Sequence, residues 1–277
     1  MPGWNAEPSI VLGLGALTTL YFVAWARWRE RLGGPPDVNR LQVACFSAAI
    51  FVLILALVSP IASIGDELLF SIHMLQHLLI TLVMPPLLLA GTPGWMIQHL
   101  FRPRWVLWVA RHLTRPLPAY LTFNTLFAIS HVPAVYDVIF SNQALHILEH
   151  LLLMATSVLL WWPVLSPVPQ LPRLSYPAQM LYVFLQTLGG VAVGSFLSLG
   201  STPLYAKYAN SPGMWGMTPL VDQQVGGLMM WVGGGTYFFG ALAVIFFIWA
   251  NRDAADQARE RARLKPGTPR PLGSRPG

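Results

Sequence analysis

The sequence predicts an all-α integral membrane protein: a bundle of seven transmembrane helices, with the N-terminus outside and the C-terminus in the cytoplasm. Three observations carry this reading. The chain is 55% hydrophobic and only 10% charged, with a mean hydropathy of +0.54, far from the balance of a soluble domain. Seven stretches approach the ~20 apolar residues that a helix needs to cross a hydrocarbon core. Every Lys and Arg except Lys207 falls on one side of the resulting topology.

The seven spans are expected at 10–28, 41–60, 68–90, 118–135, 145–164, 176–199 and 219–250. No basic residue precedes Arg27, so the first run lacks the charged head of a secretory signal and is expected to be retained. Pro85-Pro86 is expected to kink or end the third span near its cytoplasmic end. Between the third and fourth spans, 94–115 mixes Trp and Leu with Arg and reads as a helix lying in the interface. Asn124, Ser130 and His131 interrupt the fourth span, and Trp161-Trp162-Pro163 should end the fifth as an interfacial aromatic anchor. Gly190 and Gly194 in the sixth, and Gly226, Gly227, Gly233, Gly234 and Gly235 in the seventh, are read as packing positions where helix backbones approach. Thr218 and Pro219 open the seventh span as N-cap and first-turn residue. The membrane domain is thus 1–250. The tail 251–277, rich in Arg, Pro and Gly, is expected to be disordered and to rest on anionic membrane lipids of the inner leaflet.

The side assignment gives each polar residue a depth. The net charge of +6 lies in the cytoplasmic loops and tail, a distribution that points to membrane lipids and to no nucleic acid. The acids Glu7, Asp66, Glu67, Asp137, Glu149 and Asp222 fall on the outer side, where they would concentrate cations. Asp66 and Glu67 are read as helix caps or loop solvation. The single cysteine, Cys45, excludes an internal disulfide and any paired-thiolate site.

Two stretches carry chemistry. In His146-Ile147-Leu148-Glu149-His150 a helix places two imidazoles one turn apart with a carboxylate beside them. His73-Met74-Leu75-Gln76-His77 repeats the histidine spacing, and each stretch continues into a long apolar run. Such a pair is either a satisfied core feature or a metal-ligand pair. His131, at the outer end of the fourth span, and Asp222, near the start of the seventh, fall at the same depth. Met229 lies seven residues beyond Asp222 on one helical face, with Met230 beside it. Convergence of His73, His77, His131, His146 and His150 on one leaflet favours a site, with Glu149, Asp222, Met229 and Met230 as supporting groups. His99 and His112 are read as surface residues.

These residues resemble the multi-span CtaG family of cytochrome c oxidase assembly factors, named for the caa3-type oxidase. The matching stretches are His73-Met-Leu-Gln-His77 with Pro85-Pro86, and His131-Val-Pro with Tyr136-Asp137. Leu145-His-Ile-Leu-Glu-His150, Trp161-Trp-Pro163, and Asp222-Gln-Gln224 leading to Met230-Trp231 continue the match. The resemblance implies a role in maturing the copper-containing part of a respiratory oxidase in the bacterial plasma membrane. Cytochrome c oxidase subunits would then be the partners. It also implies functional weight at His73, His77, His131, His146, Glu149, His150 and Asp222.

Three chemistries remain open on the residues alone. Copper suits imidazole and thioether ligands. Haem can be ligated by histidines on facing helices. Zinc would suit a metalloenzyme, since His146-x-x-Glu149-His150 matches an inverted zincin pattern, but five residues with two free positions match easily by chance. The expectation is copper handling by a protein that is not an enzyme.

Overall fold

The computed structural model describes residues 3–264 apart from Pro36 and Val38, and among them it is helical with no strand. Six helices are long and apolar enough to cross a membrane: Pro8–Trp28, Arg40–Leu57, Phe70–Gly91, Gln143–Leu165, Tyr176–Ser198 and Pro219–Arg263. They are called here the first, second, third, fifth, sixth and seventh long helices. The fourth position is taken by a bent pair, Pro116–Ser130 and Pro133–Phe140, whose axes differ by 79°. The expected continuous span over 118–135 is therefore broken. The residue before a proline is pushed out of the α region, and Val132 before Pro133 ends the first segment at His131.

Helix starts follow their caps. Asn39 accepts from the Leu41 and Gln42 amides, Asn142 from Ala144 and Leu145, and Thr218 from Val221. Ser59 caps a short helix, Pro60–Glu67, which separates the second long helix from the third and shortens the expected 41–60 span. The segment 94–115 folds as Gly94–Ile97, a 3₁₀ turn and Arg104–Leu113, with Trp105 and Trp108 exposed, as suits an interface-lying helix.

Three expectations about helix ends change. The third helix does not stop at Pro85-Pro86: it passes through a π-helical turn, Leu79–Val83, and runs on to Gly91. Pro85 has no N–H to offer the Thr81 carbonyl, and the Trp161 indole donates to that oxygen instead at 3.3 Å. Trp161 and Trp162 are buried, with the Trp162 ring against Phe101, and Pro163 lies inside a helix that reaches Leu165. The seventh helix extends to Leu264, so residues 251–264 of the basic tail are helical; 265–277 lie outside the described residues.

Two cores hold the bundle. One joins the third to seventh positions around Phe70, Met74, Leu153, Trp161, Tyr182 and Met230. The other packs the first and second helices on the latter half of the third through Tyr21, Phe46, Leu53 and Ile80. The sixth and seventh helices meet back to back at glycine. A Cβ on Gly194 would lie 2.7 Å from the Gly227 carbonyl oxygen, and one on Gly227 2.6 Å from that of Gly194. Many large apolar side chains, such as Leu12, Leu181 and Phe247, are exposed on the helix exteriors, as a lipid-facing surface requires.

Candidate metal centre

The third and fifth helices run parallel, and their histidine motifs lie in register. His73 faces His146, with ring centroids 5.4 Å apart, and His77 faces His150 at 5.1 Å. Along each helix the rings sit one turn apart and tilted, with centroids 4.3 Å apart for His73 and His77 and 4.5 Å for His146 and His150. The four rings thus form a ladder of two rungs. Further down, the Ser157 hydroxyl reaches the Ile80 carbonyl at 3.4 Å, so the same parallel packing continues below the site.

Each rung has its own carboxylate. Asp66 Oδ1 lies 3.3 Å from His73 Nδ1 and 3.7 Å from His146 Nε2. Glu149 Oε2 lies 3.8 Å from His77 Nε2 and 3.7 Å from His150 Nδ1. Asp66 stands outside the long helices and its side chain keeps 25% of its exposure, whereas the ladder side chains keep under a tenth, so Asp66 is the mouth. Burial pushes its carboxyl up, but His73 and the other imidazoles outweigh this and hold it below the ordinary aspartate value. A cleft of about 380 Å³, walled by Ile10, Leu14, Leu57 and Leu151, opens onto Asp66, Gln76, His146 and His150.

The donor atoms suit an ion. His73, His146 and His150 can each turn one ligand atom to within 4.8 Å of the others, as can His77, Glu149 and His150. Both ring nitrogens of His73 and of His77, Nε2 of His146 and His150, Asp66 Oδ1 and Glu149 Oε2 are buried and lack a hydrogen-bond partner. Native interiors rarely leave such groups unpaired, and a cluster of them fits a metal ion.

The other expected residues lie at varying distances from this cluster. His131, at the break of the bent pair, stands beside the lower rung, its ring 5.9 Å from that of His77. Asp222 is buried but does not face the ladder. Its carboxylate accepts from the Phe70 amide at 2.6 Å, the Ser71 amide at 3.0 Å and the Ser71 hydroxyl at 2.5 Å. It is the N-cap of the third helix, supplied from the seventh because Leu69 has no capping group. It therefore fixes the helix that carries His73 and His77 without offering a ligand. Met230 is buried in the larger core, and Met229 is half-buried one position before it. His99 is half-buried, with Nε2 3.1 Å from the Leu32 carbonyl oxygen, and His112 is exposed.

Sequence reasoning missed Asp66 and Met74. Asp66 precedes His73 by seven residues, a spacing that would have flagged it on a continuous helix, but the chain breaks at Leu68 and Leu69. The short helix can lie against the third only because residue 65 is glycine: a Cβ there would sit 2.9 Å from the His73 backbone nitrogen. Tyr208 holds the approach by donating to the Gly65 carbonyl at 2.6 Å.

Fold and site together define a class: a helical membrane protein with paired, buried histidines on parallel helices and a carboxylate for each pair. The chain belongs to the cytochrome c oxidase caa3 assembly factor family, Caa3_CtaG, whose model matches residues 19–252 and so includes the whole ladder. It is also similar to uncharacterised proteins of Mycobacterium tuberculosis and Mycobacterium leprae. The first is 22% identical, with 93% of this chain and 41% of the relative covered. The second is 24% identical, with 91% and 39% covered. The chain thus spans about two-fifths of the length of these relatives. No solved structure matches.

Proposed function

We propose that this protein handles copper during cytochrome c oxidase assembly in the bacterial plasma membrane, taking the ion at Asp66 and holding it on the histidine ladder. The observation that supports this best is the pair of His–His–carboxylate rungs whose buried nitrogens and oxygens lack hydrogen-bond partners. Imidazole-rich sites suit copper, and the family's role with a copper-containing oxidase supplies the recipient. The protein is then a carrier and not a catalyst, and copper is its cargo.

In this reading the chain crosses the membrane seven times, the bent pair serving as the fourth crossing, with the N-terminus outside. The distribution of basic residues supports it, and it puts Asp66 at the outer face. Asp66 attracts the cation and hands it to His73 and His146; Glu149 balances charge at His77 and His150 and takes up protons as the imidazoles exchange ligands. A single ion fits better than haem, because the rings across each rung stand only 5.1–5.4 Å apart and leave no slot for a macrocycle.

The test is the copper content of detergent-purified wild type, His73→Ala/His77→Ala and His146→Ala/His150→Ala proteins, alongside oxidase activity in host membranes. Both double variants should lose copper and fail to mature the oxidase. Copper loss with undiminished oxidase activity would separate the metal from the function.

A further inference from the structure

The bend at His131 holds a second set of donors that the ladder does not use. His131 is 4% exposed and Met74 is fully buried, and His131 Nε2 stands 3.4 Å from Met74 Sδ. The tautomer follows from the other ring nitrogen. His131 Nδ1 lies 2.6 Å from the Phe127 carbonyl oxygen and 3.2 Å from the Ser130 hydroxyl, which donates to that same carbonyl at 3.0 Å; the proton is therefore assigned to Nδ1, which donates it to Phe127. With Nδ1 protonated in the neutral ring, Nε2 keeps its lone pair. That lone pair faces a thioether sulfur, which has no proton to give. A doubly protonated ring would resolve the clash, but among the described residues no carboxylate lies within ion-pair range of His131 to balance it.

Two acceptors facing each other in a dry interior are what a cation between them would explain. Their separation matches two adjacent ligands of one ion, given bonds of about 2.0 Å to nitrogen and 2.3 Å to sulfur. Both partners are held in advance. The His131 carbonyl accepts from the Tyr205 hydroxyl at 2.9 Å, and Phe127 fixes the ring. Gly226 leaves the space that the Phe70 ring and Met74 fill together, since a Cβ there would lie 2.6 Å from Phe70 Cδ1 and 3.3 Å from Met74 Cγ.

We propose that Met74 Sδ and His131 Nε2 form a separate soft-cation station beside the lower rung, selective for a monovalent d¹⁰ ion of the Cu(I) class. Thioether sulfur is a soft ligand that favours Cu(I) over hard or divalent ions. The all-nitrogen-and-oxygen ladder lacks that bias, so the two stations differ in the oxidation state they favour. The proposal goes beyond the copper-handling reading and does not depend on the ladder binding copper.

The probe is Ag(I), a redox-inert ion of the same class, added to detergent-purified full chain labelled with ¹³C at the methionine methyl groups. The chain has ten methionines, and the Met74 resonance is the one missing from Met74→Leu, a nearly volume-conserving change that a core tolerates. Ag(I) should shift that resonance in wild type while Zn(II) leaves it in place. His131→Gln should weaken the Ag(I) response at least ~10-fold, by analogy with the loss of metal-site partners. Met74→Leu should bind one Ag(I) fewer yet keep its Zn(II) binding. A Met74 methyl that stays still at saturating Ag(I), or moves equally with Zn(II), overturns the station. If it responds to Ag(I) while the ladder variants bind copper like wild type, this station stands and the ladder assignment falls.

Discussion

The opening turn of the seventh helix and the histidine ladder are neighbours in the bundle, bury the same kinds of side chain, and treat them in opposite ways. At the seventh helix, Asp222 accepts three hydrogen bonds from Phe70 and Ser71. Gln223 next to it accepts from the Leu204 amide and donates to the Leu197 and Thr202 carbonyls. In the ladder, Glu149 Oε2, Gln76 Oε1 and six ring nitrogens have no hydrogen-bond partner. An unsatisfied buried polar group costs about 1–3 kcal/mol, so a folded protein rarely keeps a cluster of them without use. The first region is a joint that fixes a helix. The second keeps buried donors and acceptors that the protein itself does not pair.

Exchanging the two carboxylates in turn gives the largest expected contrast. Asp222→Ala removes the charged cap of the third helix and should cost about 2–4 kcal/mol of stability, read as a fall in Tm of the purified protein. Glu149→Gln should leave Tm unchanged or raise it, while copper affinity falls ~10–100-fold. Similar Tm losses in both variants would erase the distinction between joint and site.

The glycine seam between the sixth and seventh helices sharpens the same comparison with a smaller effect. Gly227→Ala places a methyl 2.6 Å from the Gly194 carbonyl oxygen and should cost about 1–3 kcal/mol through overpacking. Copper stoichiometry in the folded fraction should not change, because the seam touches no ladder residue. Smaller still is Trp161→Phe, which leaves the Thr81 carbonyl without its indole donor. A loss of about 1 kcal/mol is expected, measured by the same melting experiment.

Much of this was legible from spacing. HxxxH and HxxEH each put two rings on one helical face, and equal depth suggested that the faces would meet. The length of the apolar runs also gave the helices themselves, because such runs have few alternatives. What it could not give was contact across the chain. Asp66 lay hidden because its helix is interrupted before the third begins, and Met74 because one methionine among ten has no marker. Asp222 shares the depth of the site, and depth alone does not separate a ligand from a cap; only its partners Phe70 and Ser71 do. The fate of Pro85-Pro86 depended on Trp161, a residue 76 positions along the chain.

The central claim is that copper sits among the imidazoles of the ladder, and X-ray absorption at the copper edge of copper-loaded, detergent-purified protein tests it most directly. Wild type should show the outer-shell scattering of several imidazole rings. The His146→Ala/His150→Ala protein, loaded in the same way, should lose that signal together with most of its copper. An imidazole signal of the same size in both would contradict the account, because the ion would then lie elsewhere.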